Sequence, residues 1–179
     1  YWPGLRESFT RLRVAVMATQ PVSANLRRAI LPENTTLVDT QGDPIVVKFD
    51  AAGRLVTSVF VEGRRGGDPA VTEPIRTRTL QDVWPQLDAV RWDYTWYGDL
   101  DMQPRTIPRL FELAPGVVAS LGYSGRGVPT GTMMGTVLAD WATGTPAAEL
   151  PLTPEPLRKA PAYMRVAPRA YLAYARWRD

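Results

Sequence analysis

Residues 117–141, VVASLGYSGRGVPTGTMMGTVLADW, constrain this chain more than any other stretch. Val117, Val118, Ala119 and Leu121 follow one another with little alternation, the pattern of a strand covered on both faces. Gly122, Gly125 and Gly127 then fall within six residues, and Val128, Met133, Met134, Val137, Leu138 and Trp141 recur at helical spacing. The order is strand, glycine-rich turn, helix. Such a turn leaves backbone N–H groups pointing forward from a helix N-terminus, where a phosphate, a carboxylate or an electron-rich ring oxygen can sit. A lone buried strand with one helix cannot complete a parallel layer, which needs neighbouring strands and helices on both faces. The stretch therefore reads as one wall of a cofactor site whose remainder lies outside this sequence.

The first hundred residues have a different character. Leu12, Val14 and Val16 alternate with Arg11, Arg13 and Ala15, as in a strand with one wetter face. Ser23 is a helix cap for a short helix carrying Leu26, Ala29 and Ile30 and stopped by Pro32. Residues 35–40 form a short β-branched strand. PIVVKF and RLVTSVFVE flank Asp50-Ala51-Ala52-Gly53, which predicts a hairpin. Residues 63–72, with three glycines, read as an exposed loop, and 74–87 as a helix restrained by Pro85. In 90–100, Val90, Trp92, Tyr94 and Trp96 point one way and Arg91, Asp93, Thr95 and Tyr97 the other, an alternating antiparallel strand. Residues 101–115 hold Pro104, Pro108 and Pro115 and read as a connection, not an element. After a loop over 143–156, residues 161–179 set Met164, Tyr171, Leu172, Tyr174 and Trp177 beside four arginines, an amphipathic helix restarted at Pro168.

Several function classes drop out on composition. No histidine and no cysteine occur, which removes histidine-based triads, cysteine nucleophiles, disulfides and Cys/His zinc sites together. Carboxylates alone supply no convincing metal spacing, so no metal is expected. The net charge of +3 is a mild bias without a nucleic-acid-binding architecture, and no apolar run is long enough to span a bilayer. A cysteine-free chain without a secretory pattern fits the cytoplasm. The opening YWPGLRES begins without Met and with buried-type aromatics, as either a processed native N-terminus or a polypeptide cut from something longer would.

Two readings compete at each candidate site. The turn is either a tight connection with glycines for geometry or a backbone cradle for an anion or cofactor edge. GYSGRG has neither G-x-G-x-x-G nor P-loop spacing, and it fails G-x-S-x-G, so Ser124 is a turn hydroxyl and not a nucleophile. Arg126 either leans over a bound anion or faces solvent. Trp92, Tyr94, Trp96 and Tyr97 are ordinary strand packing or the lining of a flat-ligand pocket. Asp99 and Asp101, near a strand end, read as solvated. No catalytic residue is identified. The basic aromatic tail reads either as a segment that touches a membrane surface or, in preference, as one that packs its rings on the body or on a partner chain while its arginines stay wet.

Residues 96–144, WYGDLDMQPRTIPRLFELAPGVVASLGYSGRGVPTGTMMGTVLADWATG, resemble the C-terminal signature of the FAD-dependent D-amino-acid-oxidase-like superfamily, and most closely its gamma-glutamylputrescine oxidase-like amine oxidases. Residues 18–40 resemble the segment that precedes that family's substrate-domain hairpin, and the likeness extends over about 3–156. The resemblance implies an α+β chain: an antiparallel substrate-domain sheet (1–104), the last strand and helix of an otherwise missing FAD-binding α/β domain (105–156), and an amphipathic tail (157–179). It implies FAD as cofactor of the complete protein, with none held by this chain alone. Gly122, Ser124, Gly125, Arg126, Gly127, Val128 and Thr130 would be cofactor-side positions, and Trp92, Tyr94, Trp96 and Tyr97 part of a substrate wall for a small amine or amino acid. Partners would be the N-terminal FAD-binding half or a partner subunit, with a homo-oligomer as a further option. Two departures stand out: Arg126 replaces the common His of the turn, and Arg105 and Thr106 replace an acidic-glycine pair.

Three functions follow. The chain is a portion of a FAD-dependent oxidoreductase acting on C–N bonds, inactive alone. Alternatively it is a non-enzymatic assembly domain derived from that fold, or a small-ligand-binding module built around residues 92–97.

Overall fold

A computed structural model describes the chain except Tyr1, residues 63–66, Ala89, Pro104, Thr106 and Asp179. Residues 63–66 of the loop expected at 63–72 and the boundary expected at Pro104 thus fall outside the described residues, and residues 69–72 of that expected loop are helical instead. The chain divides into two compact units, Arg13–Asp99 with Pro168–Asp179, and Tyr1–Leu12 with Leu100–Ala167.

The first of these is built on a five-stranded sheet. Its strands are β1 (Thr10–Pro21), β2 (Leu37–Val38), β3 (Val46–Phe49), β4 (Arg54–Val61) and β5 (Trp92–Met102), in the order β2-β3-β4-β1-β5. β3 and β4 form the hairpin that Asp50 to Gly53 announces. Gly53 takes a φ of +80°, and its N–H reaches the Asp50 carbonyl at 3.0 Å. β1 pairs antiparallel with β4 from Arg13 opposite Val61 to Pro21 opposite Arg54, with a register slip between Ala18 and Pro21. The slip deprives Leu55 N–H of a strand partner, and the buried Thr19 hydroxyl accepts it at 2.9 Å. Alternate residues of β4 (Leu55, Thr57, Val59 and Val61) are buried on one face.

Helix α1 (Ala24–Ile30) starts where expected, because the Ser23 hydroxyl accepts the Leu26 N–H. Helix α2 (Pro69–Val83) starts five residues earlier than its apolar spacing suggests. Asp68 caps it by accepting the Ala70 N–H, Pro69 fits the first position, and Pro74 is carried inside. Leu80 of α2 joins Ile30, Leu31, Ile45, Val47, Phe49, Leu55 and Leu87 in the main core.

The tail forms helix α4 (Ala167–Arg178), with Pro168 in its first turn. Its part from Pro168 onward belongs to the sheet unit. Leu172 and Ala175 are buried, and Arg176 donates to the Asp43 carboxylate at 2.8 Å and the Phe60 carbonyl at 2.5 Å. Tyr171, Tyr174 and Trp177 remain exposed.

The second unit overturns two expectations. Residues 109–114 are not connection but strand β6 (Arg109–Ala114), paired antiparallel with β7 (Val117–Leu121) through Pro115-Gly116. Pro108 and Pro115 bracket the strand without entering it, so they cost no ladder hydrogen bond. The strand that feeds the turn therefore has a partner within the chain. It is also not covered on both faces, since Val117 is 39% exposed and the rest of β7 is half-buried. Helix α3 (Gly127–Ala142) follows, and Met134 and Val137 pack with Leu110 and Leu150.

Candidate functional site

The glycine-rich turn connects β7 to α3 in left-handed steps. Gly122, Ser124 and Gly125 have φ of +94°, +48° and +86°. For Ser124, a residue with a Cβ, that conformation costs about 1 kcal/mol and must be held by its surroundings. Asp101 holds it. One carboxylate oxygen accepts the N–H groups of Gly122 at 2.5 Å and Tyr123 at 3.4 Å, and the other accepts that of Ser124 at 3.2 Å. The Ser124 hydroxyl donates to the Asp101 carbonyl at 3.5 Å, and the Tyr123 ring packs beside the Leu110–Met134 core. Asp101 is thus not a solvated strand-end carboxylate but the anion around which the turn is wound.

A second residue of the same strand end braces the turn sterically. A Cβ on Gly122 would lie 3.0 Å from the Gln103 side-chain amide, which would have to shift by a few tenths of an ångström, and the φ of +94° independently favours glycine. Gln103 is 5% exposed, and its Oε1 accepts from Arg109 at 3.1 Å. Arg109 is fixed by a two-point pair with Glu155, Nε–Oε1 at 3.2 Å and Nη2–Oε2 at 3.1 Å, and it lies 4.8 Å over the Phe111 ring. Glu155 N–H in turn reaches the Leu110 carbonyl. An open pocket of about 460 Å³ lies alongside, between Gln103, Arg109, Leu152 and Glu155.

Asp101 thus takes the N–H groups of Gly122, Tyr123 and Ser124, and the Arg126 N–H donates to the Tyr123 carbonyl at 2.9 Å. Further donors stand at Gly125 and at the first turn of α3, where Gly127 and Val128 have no intrahelical acceptor for their N–H groups, and Pro129 has no N–H. The Arg126 side chain does not cap the helix. Gly125, Arg126, Gly127 and Val128 are exposed, Val128 by 86%, and Thr130 is half-buried. The helix dipole makes this end favourable for negative charge. Beyond it, Gly127, Gly131 and Gly135 recur every fourth residue, and a Cβ on any of them would meet nothing within 4 Å. Met133 is 53% exposed on the same helix. A strongly apolar helix that buries so little presents an open, approachable face.

The aromatic candidates lie on β5, in the sheet unit, and their alternation breaks. Trp92 Nε1 donates to Thr77 Oγ1 of α2 at 2.8 Å, and Thr95 Oγ1 donates to Glu73 of α2 at 2.8 Å. Residues three apart cannot share a face in a regular strand. Between them Asp93 and Tyr94 both address Arg54, as an ion pair at 3.7 Å and a guanidinium–ring contact at 5.3 Å. Trp92 is consequently a packing residue turned toward α2, not a member of one row with Tyr94 and Trp96. Tyr97 lies under Arg13 at 4.5 Å, and Arg13 pairs with Asp99 at 2.9 Å. That bond raises the Arg13 pKa, so Asp99 is engaged as well. Tyr94, Trp96 and Tyr97 are 55%, 48% and 56% exposed.

Sequence reasoning found the turn and missed the two side chains that shape it. Asp101 and Gln103 precede Gly122 by about twenty residues, and no local pattern links them. Among the described residues no cluster of three acidic groups could hold a metal ion, and no helix is long and apolar enough to cross a membrane.

Comparison with known proteins gives a consistent result. The sequence profile of the family FAD dependent oxidoreductase, DAO, matches residues 2–141. The gamma-glutamylputrescine oxidoreductase of Escherichia coli K12 is 29% identical over 130 residues, 72% of this chain and 30% of that protein. The probable oxidoreductase OrdL of Haemophilus influenzae is 23% identical over 141 residues, 79% of this chain and 32% of that protein. The chain thus spans about a third of the length of these relatives. In structure it is similar to iminodiacetate oxidase of Chelativorans sp. BNC1, with a TM-score of 0.60 and 21% identity over 87% of this chain and 42% of that one.

Proposed function

Because this chain belongs to the DAO family of FAD-dependent oxidoreductases, we propose that it is the C-terminal portion of a flavoenzyme that oxidises C–N bonds of amines or amino acids. The observation that carries the proposal is the turn with its exposed helix start. Backbone donors at Gly127 and Val128 and the Arg126 cation stand uncovered beside a helix whose glycine face is open. The names of the similar proteins, which specify gamma-glutamylputrescine and iminodiacetate, support an amine or amino-acid substrate.

The donor set fits one edge of FAD and not the whole. Exposed N–H groups and an arginine suit the electron-rich carbonyl edge of the ring system, and open space at Gly127 and Gly131 allows close approach. Nothing in the sequence suits the pyrophosphate, which calls for a G-x-G-x-x-G loop. The N-terminal half of a longer protein, or a partner subunit, would supply that loop and cover the open face of α3. In this reading residues 105–156 are the FAD-side piece, 1–104 the substrate-side sheet and 157–179 an added tail.

When bound, FAD supplies the acceptor for a hydride from the substrate C–N bond. This chain's residues prepare the surroundings. The N-terminal end of α3 and its first N–H groups, Gly127 and Val128, stabilise negative charge at the edge they face. Arg126 adds a permanent cation where the family's turn commonly has His. Gly122, Ser124 and Gly125 set the direction of the turn, and Thr130 begins the helix wall. Tyr94, Trp96 and Tyr97 offer flat surface with hydroxyl and indole donors for orienting a small substrate.

The test is co-production of this chain with an N-terminal half carrying a Rossmann-type glycine loop. The complete protein is expected to stay yellow through gel filtration, and the 179-residue chain alone to be colourless. A colourless complete protein that assembles through residues 117–141 would overturn the reading and favour the assembly role.

A further inference from the structure

We propose that Asp101 is the positioning residue of the glycine-rich turn: its carboxylate is a built-in acceptor that takes the N–H groups of Gly122, Tyr123 and Ser124 and so leaves the start of α3 for the ligand. The consequence for FAD rests on the proposed function; the positioning itself does not.

Three consecutive N–H groups converging in a turn make an anion-binding concavity. Left empty in a flavoprotein, the concavity at Gly122, Tyr123 and Ser124 would compete for any phosphate or carbonyl oxygen meant for the helix start five residues later. Asp101 ends that competition by accepting all three N–H groups, with the closest bond from Gly122. The same bonds hold Ser124 in its left-handed conformation, which the residue would not keep alone. Neighbouring residues of the strand end act with it. Leu100 Cδ1 lies 3.5 Å from where a Cβ on Gly125 would be, and Gln103 fills the corresponding place at Gly122. Residues 100, 101 and 103 thus determine how Gly122, Ser124 and Gly125 are folded, and with them where Gly127 and Val128 point. Glu155 fixes Arg109 and through it Gln103, so the bracing extends to the segment after α3.

The experiment is amide hydrogen exchange on the 179-residue chain, comparing the wild type with Asp101→Asn and Asp101→Ala. Asparagine keeps the shape but replaces one acceptor by a donor. Exchange at Gly122, Tyr123 and Ser124 should quicken about tenfold or more in both variants, with the sheet residues 46–61 unchanged. Formate, a detached carboxylate, should restore protection in Asp101→Ala and leave the wild type unaffected; a role limited to general packing would show no such rescue. Asp99→Asn, which removes another carboxylate from the same strand, should leave the turn protected. If Asp101→Ala does not fold, the near-isosteric Asp101→Asn decides. Unchanged protection at 122–124, or loss that formate does not reverse, overturns the proposal. In the complete protein, Asp101→Asn should retain less flavin than the wild type. If exchange and rescue behave as expected while the wild-type complete protein binds no flavin, Asp101 keeps its positioning role and the cofactor reading alone fails.

Discussion

Thr19 and Arg76 are two buried polar side chains of opposite worth. The Thr19 hydroxyl is a ladder partner, placed where β1 slips its register and Leu55 would otherwise have an unpaired N–H. Thr19→Val keeps the volume and removes the acceptor, so it should destabilise the chain by about 1–3 kcal/mol, read from denaturant unfolding. Arg76 is 2% exposed on α2, its Nε has no partner, and burial pulls its pKa down while Asp43 and Asp39 hold it up and Arg176 lowers it further. Both aspartates already have work elsewhere. Asp43 binds Arg176, and Asp39 accepts the N–H groups of Gln41 and Ile45. A guanidinium this poorly compensated is dispensable if its volume is kept. Arg76→Met should therefore leave the unfolding midpoint unchanged or raise it, whereas Arg76→Ala should lose about 2–4 kcal/mol to the cavity. A large loss in Arg76→Met would show that the charge, not the stem, holds α2.

At the scale of elements, legibility followed the range of the determining contact. The β3–β4 hairpin could be read directly because its cause is local: Asp50 accepts the Arg54 N–H at 2.8 Å, and Gly53 supplies the positive φ. The α1 cap at Ser23 was equally legible. Strand β6 was not, since three prolines nearby suggest a connection and only the pairing of Arg109–Ala114 with Val117–Leu121 shows that they flank it. Nor was the break in β5, because it follows from Arg54 and α2, both distant in sequence. The local device also yields a pH dependence. The Arg54 N–H, opposed by partial desolvation and helped by the Ala52 N–H, holds the Asp50 pKa below its ordinary 3.8. A depressed carboxylate stabilises above the unfolded pKa and ceases to do so as pH falls through the folded one. Hairpin amides 52–55 should therefore be protected equally at pH 7 and 5, and lose protection below about pH 4. In Asp50→Asn they should exchange faster at pH 7 and show no such acid step; an identical acid step in the variant would assign it to another group.

The whole molecule is two units threaded by one chain, with Pro168–Asp179 returning to the sheet unit after Leu100–Ala167 has formed the other. That return was not legible. The tail's arginines and aromatics indicate an amphipathic helix, but the choice of what it packs on rests on Gly42, where any Cβ would collide with Ala175, and on the Arg176–Asp43 pair. The candidate site was legible only as a motif, because Asp101 and Gln103 reach it through the fold. If α4 belongs to the sheet unit energetically as well as geometrically, removing residues 168–179 should damage that unit alone. Burial of Leu172 contributes about 2 kcal/mol, and Ala175 and the Arg176 contacts to Asp43 and Phe60 add to it. Hydrogen exchange of the truncated chain should then show faster exchange around the β2–β3 connection and the end of β4, with β6, β7, α3 and the Asp101-bound turn protected as before. Uniform loss of protection would mean that the two units are a single cooperative body, and the turn would then depend for its shape on the tail as well as on Asp101.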